Sequence, residues 1–152
     1  MVAPMSDKRT RANFVPAPQM FNLHHACALI HQAFRDEAHA GIYLVGSSIE
    51  RRDFRDVDVR CILDDATFDA LFPNAPAGPT HWNARWSLLC IAISGWLSQT
   101  SGLPVDFQFQ RMSTANAKFN GERQALGMYV SHGDARLADR PVTDPTEGDA
   151  DA

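Results

Sequence analysis

Asp56-Val57-Asp58-Val59 alternates carboxylates with valines, and a second alternating run, Val105-Asp106-Phe107-Gln108-Phe109-Gln110, carries a third acid. Successive side chains on a strand point to opposite faces, so Asp56, Asp58 and Arg60 share one face while Val57 and Val59 point into a core. In the second run Asp106, Gln108 and Gln110 form the polar face. Like charges at this spacing repel, and they are tolerated most readily where a hard cation such as Mg²⁺ or Mn²⁺ takes oxygen ligands from both. With the two strands side by side, Asp106 would reach the same ion. Three carboxylates on neighbouring strands could hold two divalent ions, which stabilise the attacking and leaving oxygens of an in-line phosphoryl or nucleotidyl displacement.

The elements around these acids follow from pattern and punctuation. Gly41–Val45 reads as a short buried strand. Gly46-Ser47-Ser48 ends it, with Ser47 or Ser48 expected to cap a helical turn through Arg52. Asp56–Leu63 is the next strand, and Asp65 is expected to cap a short helix over 66–71. Pro73, Pro76, Gly78 and Pro79 make a loop. A long helix is expected from His81 to Thr100, capped by Thr80 and stopped by Gly102. The third strand covers 103–110. A last helix over 115–119 takes Ser113 or Thr114 as its cap and Asn120-Gly121 as its stop, and Met128-Tyr129-Val130 adds a short edge strand. Ahead of all these, Asn22 is expected to cap a helix whose apolar positions Leu23, Ala26, Cys27, Ile30, Ala33 and Phe34 recur at helical spacing up to Ala40. The expected fold is a mixed α/β arrangement with a central mixed sheet flanked by helices. Its expected organisation is an extended N-terminal arm over 1–20, one domain over 21–133 and an acidic disordered tail over 134–152.

The order apolar-Gly-Ser, then Asp-apolar-Asp-apolar, then a later strand with one Asp resembles the DNA polymerase β-type nucleotidyltransferase superfamily in its minimal form. The resemblance spans about residues 41–110. It implies that Gly46 and Ser47 form the phosphate turn, that Asp56 and Asp58 bind the metal pair, and that Asp106 is the third acid and a possible general base. It also implies two Mg²⁺ (or Mn²⁺) ions and a nucleoside triphosphate. The insert between Ser47 and Asp56 is eight residues, short for that family, and Ile49-Glu50-Arg51 stands where a further small residue is often found.

Other residues are candidates around this centre. Ser48 extends the phosphate turn. Arg51, Arg52 and Arg55 lie between the turn and the acids, as triphosphate clamps or as a solvated loop offsetting Glu50, Asp53 and Asp56. Arg60 either contacts a phosphate or balances Asp58, the second being preferred. Gln108 and Gln110 could read a base or acceptor through paired donors and acceptors, or form an exposed face. His24 and His31 fall on one helix face but are too few for a metal site. Trp82 could stack on a base, with packing the default. No GxxxxGK[ST] loop, HExxH motif or GxSxG elbow is present.

Composition limits the classes. Of 152 residues, 45% are hydrophobic and 21% charged, ordinary for a soluble domain. The net charge of −4 argues against generic nucleic-acid binding. The segment 134–152 holds six acids against two Arg, so the remaining body is near neutral. Basic residues are twelve Arg and two Lys, a bias that suits bidentate phosphate contact and that GC-rich coding would also give. Cys27, Cys61 and Cys90 each sit in an apolar run and read as core residues of a reducing compartment. Lys8, Arg9 and Arg11 precede no apolar segment, so no signal peptide is expected, and the apolar run 86–97 is too short to span a bilayer. A cytoplasmic protein without membrane contact is therefore expected.

The expected function is metal-dependent transfer of a nucleoside monophosphate from a nucleoside triphosphate to an acceptor hydroxyl. The acceptor is left open: a small molecule, a protein or an RNA end. The rivals are a catalytically degenerate binding module of the same fold, as in a toxin–antitoxin-like pair, and a nucleic-acid-binding adaptor using Arg51, Arg52, Arg55 and the basic arm.

Overall fold

A computed structural model describes residues 11–34, 41–73 and 83–127. Its centre is a four-stranded sheet in the order β3-β2-β1-β4, from β1 (Gly41–Val45), β2 (Val57–Leu63), β3 (Val105–Arg111) and β4 (Gln124–Ala125). β1 runs antiparallel to β2 and to β4, and β2 runs parallel to β3, so the sheet is mixed. Among the described residues five helices accompany it: α1 (Ala17–Ala33), α2 (Ser47–Glu50), α3 (Asp65–Leu71), α4 (Ala84–Ser101) and α5 (Met112–Lys118). The fold class expected from the sequence, mixed α/β with a central mixed sheet between helices, is the one observed.

Alternation drives the sheet. Val57, Val59, Cys61 and Leu63 of β2 and Phe107 and Phe109 of β3 are all essentially inaccessible, as are Ile42 and Leu44 of β1. Phe109 is the hub of this apolar layer, with ring centroids 5.0 Å from Phe107, 5.3 Å from Phe34 and 5.5 Å from Phe72. Each fully buried side chain of this size contributes roughly 1.5–3 kcal/mol relative to exposure. Helices α1 and α4 pack on each other and against the sheet. Cys27, Cys61 and Cys90 are buried and free. Burial pushes the Cys27 and Cys61 thiols up to about 12 and Cys90 up to about 11, so they are packing residues rather than nucleophiles.

Strand β3 would be an open edge without α4. Trp86, Ser94 and Ser98 lie at multiples of four along α4 and so on one face. Trp86 Nε1 donates to Phe109 O at 2.9 Å. Ser94 Oγ accepts from Phe107 N at 2.8 Å and donates to its carbonyl at 3.3 Å. Ser98 Oγ treats Val105 the same way, at 3.0 and 3.4 Å. Backbone groups that no strand pairs are thus satisfied by helix side chains. Asn83 caps α4 by accepting from Trp86 N at 3.0 Å, and Gly102 ends it in the left-handed region at φ 75°.

Several boundaries differ from expectation. Helix α1 starts at Ala17, not after Asn22, and absorbs the end of the expected arm. Pro16 and Pro18 flank its first turn, where a missing N–H costs nothing because those donors have no partner in the helix. Phe34 caps it. Gly46, not Ser47 or Ser48, is the N-cap of α2, and no side chain bonds there; α2 ends at Glu50 rather than running through Arg52. Strand β2 begins at Val57, because Pro104 has no N–H and pairing starts from the Val57 N to Pro104 O bond of 2.8 Å. Strand β3 accordingly begins at Val105 and runs to Arg111. Asp64 rather than Asp65 caps α3, accepting from Thr67 N at 2.7 Å. Asp65 instead accepts from Ser113 N at 3.0 Å, and α5 starts at Met112, ahead of the expected Ser113 or Thr114 cap. The strand beside β1 is Gln124–Ala125; the expected strand at Met128–Val130, the cap at Thr80, the helix start at His81, Trp82, residues 35–40 and the tail lie outside the described residues.

Two of the three histidines on α1, His24 and His31, fasten the segment that follows β4. Gly127 N donates to His24 Nδ1 at 3.0 Å, and His31 Nε2 stands 3.0 Å from Leu126 O. Gly127 is required there: its φ is +73°, and a Cβ would meet the α1 backbone at Ala28 N. Among the described residues no helix is long and apolar enough to cross a membrane.

Two outcomes are expected. Ser94→Ala removes both partners of Phe107's outward backbone groups and should cost roughly 1–3 kcal/mol by urea unfolding, against under about 0.5 kcal/mol for the exposed Gln99→Ala. Burial, then the neighbouring His25, lowers the His24 pKa. A folded pKa below the unfolded value means fewer protons bound in the folded state, so His24 adds stability that is fully present above 6.5 and lost as pH falls from 6.5 through the folded value. In His24→Gln that part of the pH dependence should disappear from unfolding curves.

Candidate functional site

The β2–β3 register decides the polar face. Asp58 pairs with Asp106 and Arg60 with Gln108, side by side on parallel strands. Because Val57, Val59, Phe107 and Phe109 are held in the core, the acids cannot leave the opposite face without a one-residue slip that would expose every apolar partner. Two of the three expected acids are therefore brought together. Asp56 is not in the strand: it precedes β2 and is exposed.

Arg60 stands between the pair. Its Nη2 lies 3.5 Å from Asp58 Oδ1 and 3.3 Å from Asp106 Oδ2. Its Nη1 donates to the backbone carbonyls of Asp106 at 2.7 Å and of Val59 at 3.1 Å. Burial raises the Asp58 pKa above the ordinary carboxylate value; Arg60 draws it back down, and Asp106 and Asp56 push it up again. Burial therefore outweighs the help that the guanidinium gives to the Asp58 charge.

Gly46 explains how the turn meets the acids. Its φ is 80° and ψ −156°, a region open essentially to glycine alone, and a Cβ there would overlap Asp58 Oδ2. Glycine thus lets the Asp58 carboxylate stand against the β1–α2 turn. Ser47 begins α2. Ser48 is fully buried, its Oγ has no hydrogen-bond partner among the described residues, and its carbonyl accepts from Phe14 N at 2.8 Å.

A cleft of about 420 Å³ opens over this face, lined by Gly46, Ile49, Glu50, Asp58, Arg60, Gln108 and Gln110. Its opposite wall is the run Lys118-Phe119-Asn120-Gly121-Glu122-Arg123, held together by Arg123, which donates to Asn116 Oδ1 at 3.0 Å and Phe119 O at 3.4 Å. The sequence marked that run only as the stop of a helix; its signal was a mixed-charge stretch around an Asn-Gly turn. A second cleft, about 460 Å³, lies along α4 and takes in Asp56, Asp106, Ser94, Ile91 and, shared with the first, Gln108. The acids thus divide, with Asp58 facing the first cleft and Asp56 and Asp106 the second.

The structure does not bring Arg51, Arg52 or Arg55 to the first cleft. All three are exposed in the α2–β2 connection, and Arg51 Nε lies 3.9 Å from Asp53 Oδ1.

A hard divalent ion suits the chemistry of the donor set. Two carboxylates stand in register, and the missing Cβ of Gly46 leaves the Asp58 carboxylate its room. Asp58 and Asp106 are the residues that would hold it. As they stand, no three His, Cys, Asp or Glu side chains among the described residues converge on one point.

Neither a protein-family model, nor a curated protein, nor a solved structure matches the chain. The site must be read from its own geometry.

Gly46→Ala is expected to destabilise the protein by roughly 1–3 kcal/mol from backbone strain alone. In urea unfolding, the added Asp58→Ala change should recover the part due to the carboxylate contact and leave the strain.

Proposed function

We propose that this protein is a small nucleotidyltransferase that moves a nucleoside monophosphate from a nucleoside triphosphate to an acceptor hydroxyl. The observation that supports it best is the pairing of Asp58 with Asp106 on adjacent parallel strands beside the glycine turn at 46. It joins the ordered motifs by which the chain resembles the DNA polymerase β-type superfamily.

In this reading the acceptor oxygen attacks the α-phosphate in line. The bond to the bridging oxygen breaks, pyrophosphate leaves, and the acceptor proton passes to Asp106. Divalent ions, when bound, supply the charge that offsets the attacking and leaving oxygens. Asp58 and Asp106 hold that charge in place, with Asp56 as the third donor. The Gly46-Ser47 turn receives the phosphates, and Gln108 and Gln110 offer paired donors and acceptors to the rest of the nucleotide or to the acceptor. The second cleft, where Asp106 and Asp56 meet Ser94 and Ile91, is the corresponding place for the acceptor.

One observation favours a second reading, a non-catalytic binding module. Arg60 pairs with both acids, as a residue kept for structure would. The two readings separate in one titration. ATP, CTP, GTP and UTP are added to the full chain in Mg²⁺ and in EDTA, beside Asp58→Asn and Asp106→Asn. Binding of one nucleotide that needs the ion and falls at least tenfold in each variant is the expected result, equivalent to about 1.4 kcal/mol or more. Binding of none of the four, with capture of a partner chain, would favour the binding module.

A further inference from the structure

We propose that Arg60 is the resident counter-ion of the Asp58–Asp106 pair, and that a divalent ion enters this site only by displacing its guanidinium. The inference rests on the nucleotidyl-transfer reading above. A single nitrogen, Nη2, faces both carboxylates, at 3.5 and 3.3 Å, which is where an ion shared by the two would stand. The other terminal nitrogen is tied to two backbone carbonyls, Asp106 O and Val59 O, at 2.7 and 3.1 Å. The side chain is 13% exposed, so this is a packed position rather than a surface contact.

The register explains why the guanidinium leans onto the acids. Arg60 lies two residues beyond Asp58 on the same face, and its cross-strand neighbours are Gln108 on β3 and Tyr43 on β1, neither of them a carboxylate. The nearest negative groups are therefore Asp58 behind it and Asp106 diagonally across. A planar, permanently charged guanidinium engages both. Mg²⁺ and Mn²⁺ require a shell of oxygen ligands around them, and a cation already between the two carboxylates denies that space and cancels part of their attraction. Arg60 therefore sets how tightly the site takes metal, a role different from touching the nucleotide.

The experiment is Mn²⁺ binding to the full chain without nucleotide, followed by the electron paramagnetic resonance signal of free Mn²⁺ at constant ionic strength. Arg60→Gln keeps an amide donor for the carbonyls but carries no charge. It should bind Mn²⁺ at least about tenfold more tightly than the unsubstituted protein, since removing a cation a few ångströms away is worth more than that factor in a partly shielded site. Arg60→Lys keeps the charge and should stay within about threefold. Adding Asp58→Asn to Arg60→Gln should abolish the gain. Should Arg60→Gln lose its far-ultraviolet circular dichroism, Arg60→Met carries the same comparison. Mn²⁺ affinity that is equal or weaker in the uncharged variant overturns the proposal, while metal-dependent nucleotide binding by the unsubstituted protein would leave the transferase reading standing. Absence of Mn²⁺ binding in every protein, together with nucleotide binding indifferent to EDTA, overturns both.

Discussion

The parallel register of β2 on β3 is the constraint on which the rest depends. Val57 opposite Val105 and Val59 opposite Phe107 fix one face of the pair inside the core. With side chains alternating, the other face has no freedom left: Asp58 must stand beside Asp106. Two carboxylates forced together by hydrophobic pairing are electrostatically unfavourable, and the structure answers with Arg60. The charge arrangement is thus imposed by packing. A charged cluster of this kind at a cleft is a functional-site candidate on physical grounds, while its pairing with Arg60 also gives it a structural part.

Helix α4 makes that register possible. A parallel pair with β3 at the sheet edge leaves the outward backbone groups of Val105, Phe107 and Phe109 without a strand. Ser94, Ser98 and Trp86 supply the missing donors and acceptors from one helix face. The same helix lines the second cleft through Ser94 and Ile91, so the element that closes the edge also shapes the approach to Asp106. Closing the edge with side chains rather than another strand leaves room for a cleft there.

Much of this was legible in the sequence, because alternation and capping are local signals. Asp-Val-Asp-Val and Val-Asp-Phe-Gln-Phe-Gln named both strands and both faces, and Gly102 marked the end of α4. What was not legible depends on partners distant in sequence. Pro16 and Pro18 read as extended chain, yet tertiary packing of Leu23, Cys27 and Ile30 carries the helix back through them. Alternation alone puts Asp56 on the strand face, but the strand's first residue is set by Pro104, in the α4–β3 connection. The Lys118–Arg123 wall has no periodicity, and its place over the sheet follows from α5 and β4 on either side. Arg60 could be seen to share a face with Asp58; that it would also reach the Asp106 carboxylate and carbonyl needed the register.

Charge in the first cleft completes the argument. Glu50, Asp58 and Glu122 line it together with Arg60, Lys118 and Arg123, so anions and cations are equal in number among these lining residues. A cleft so balanced attracts neither a bare polyphosphate nor a bare cation by net field. Recognition there must come from local pairing, each charge of a ligand meeting one charge of the wall. A polyphosphate carrying its own divalent ions has that mixed character: its oxygens suit the cationic side chains, and its ions suit the carboxylates. Among the described residues, the guanidinium between Asp58 and Asp106 is a pairing that such a ligand would have to exchange, and under the transfer reading its strength would govern selectivity for a metal-loaded ligand over either component alone.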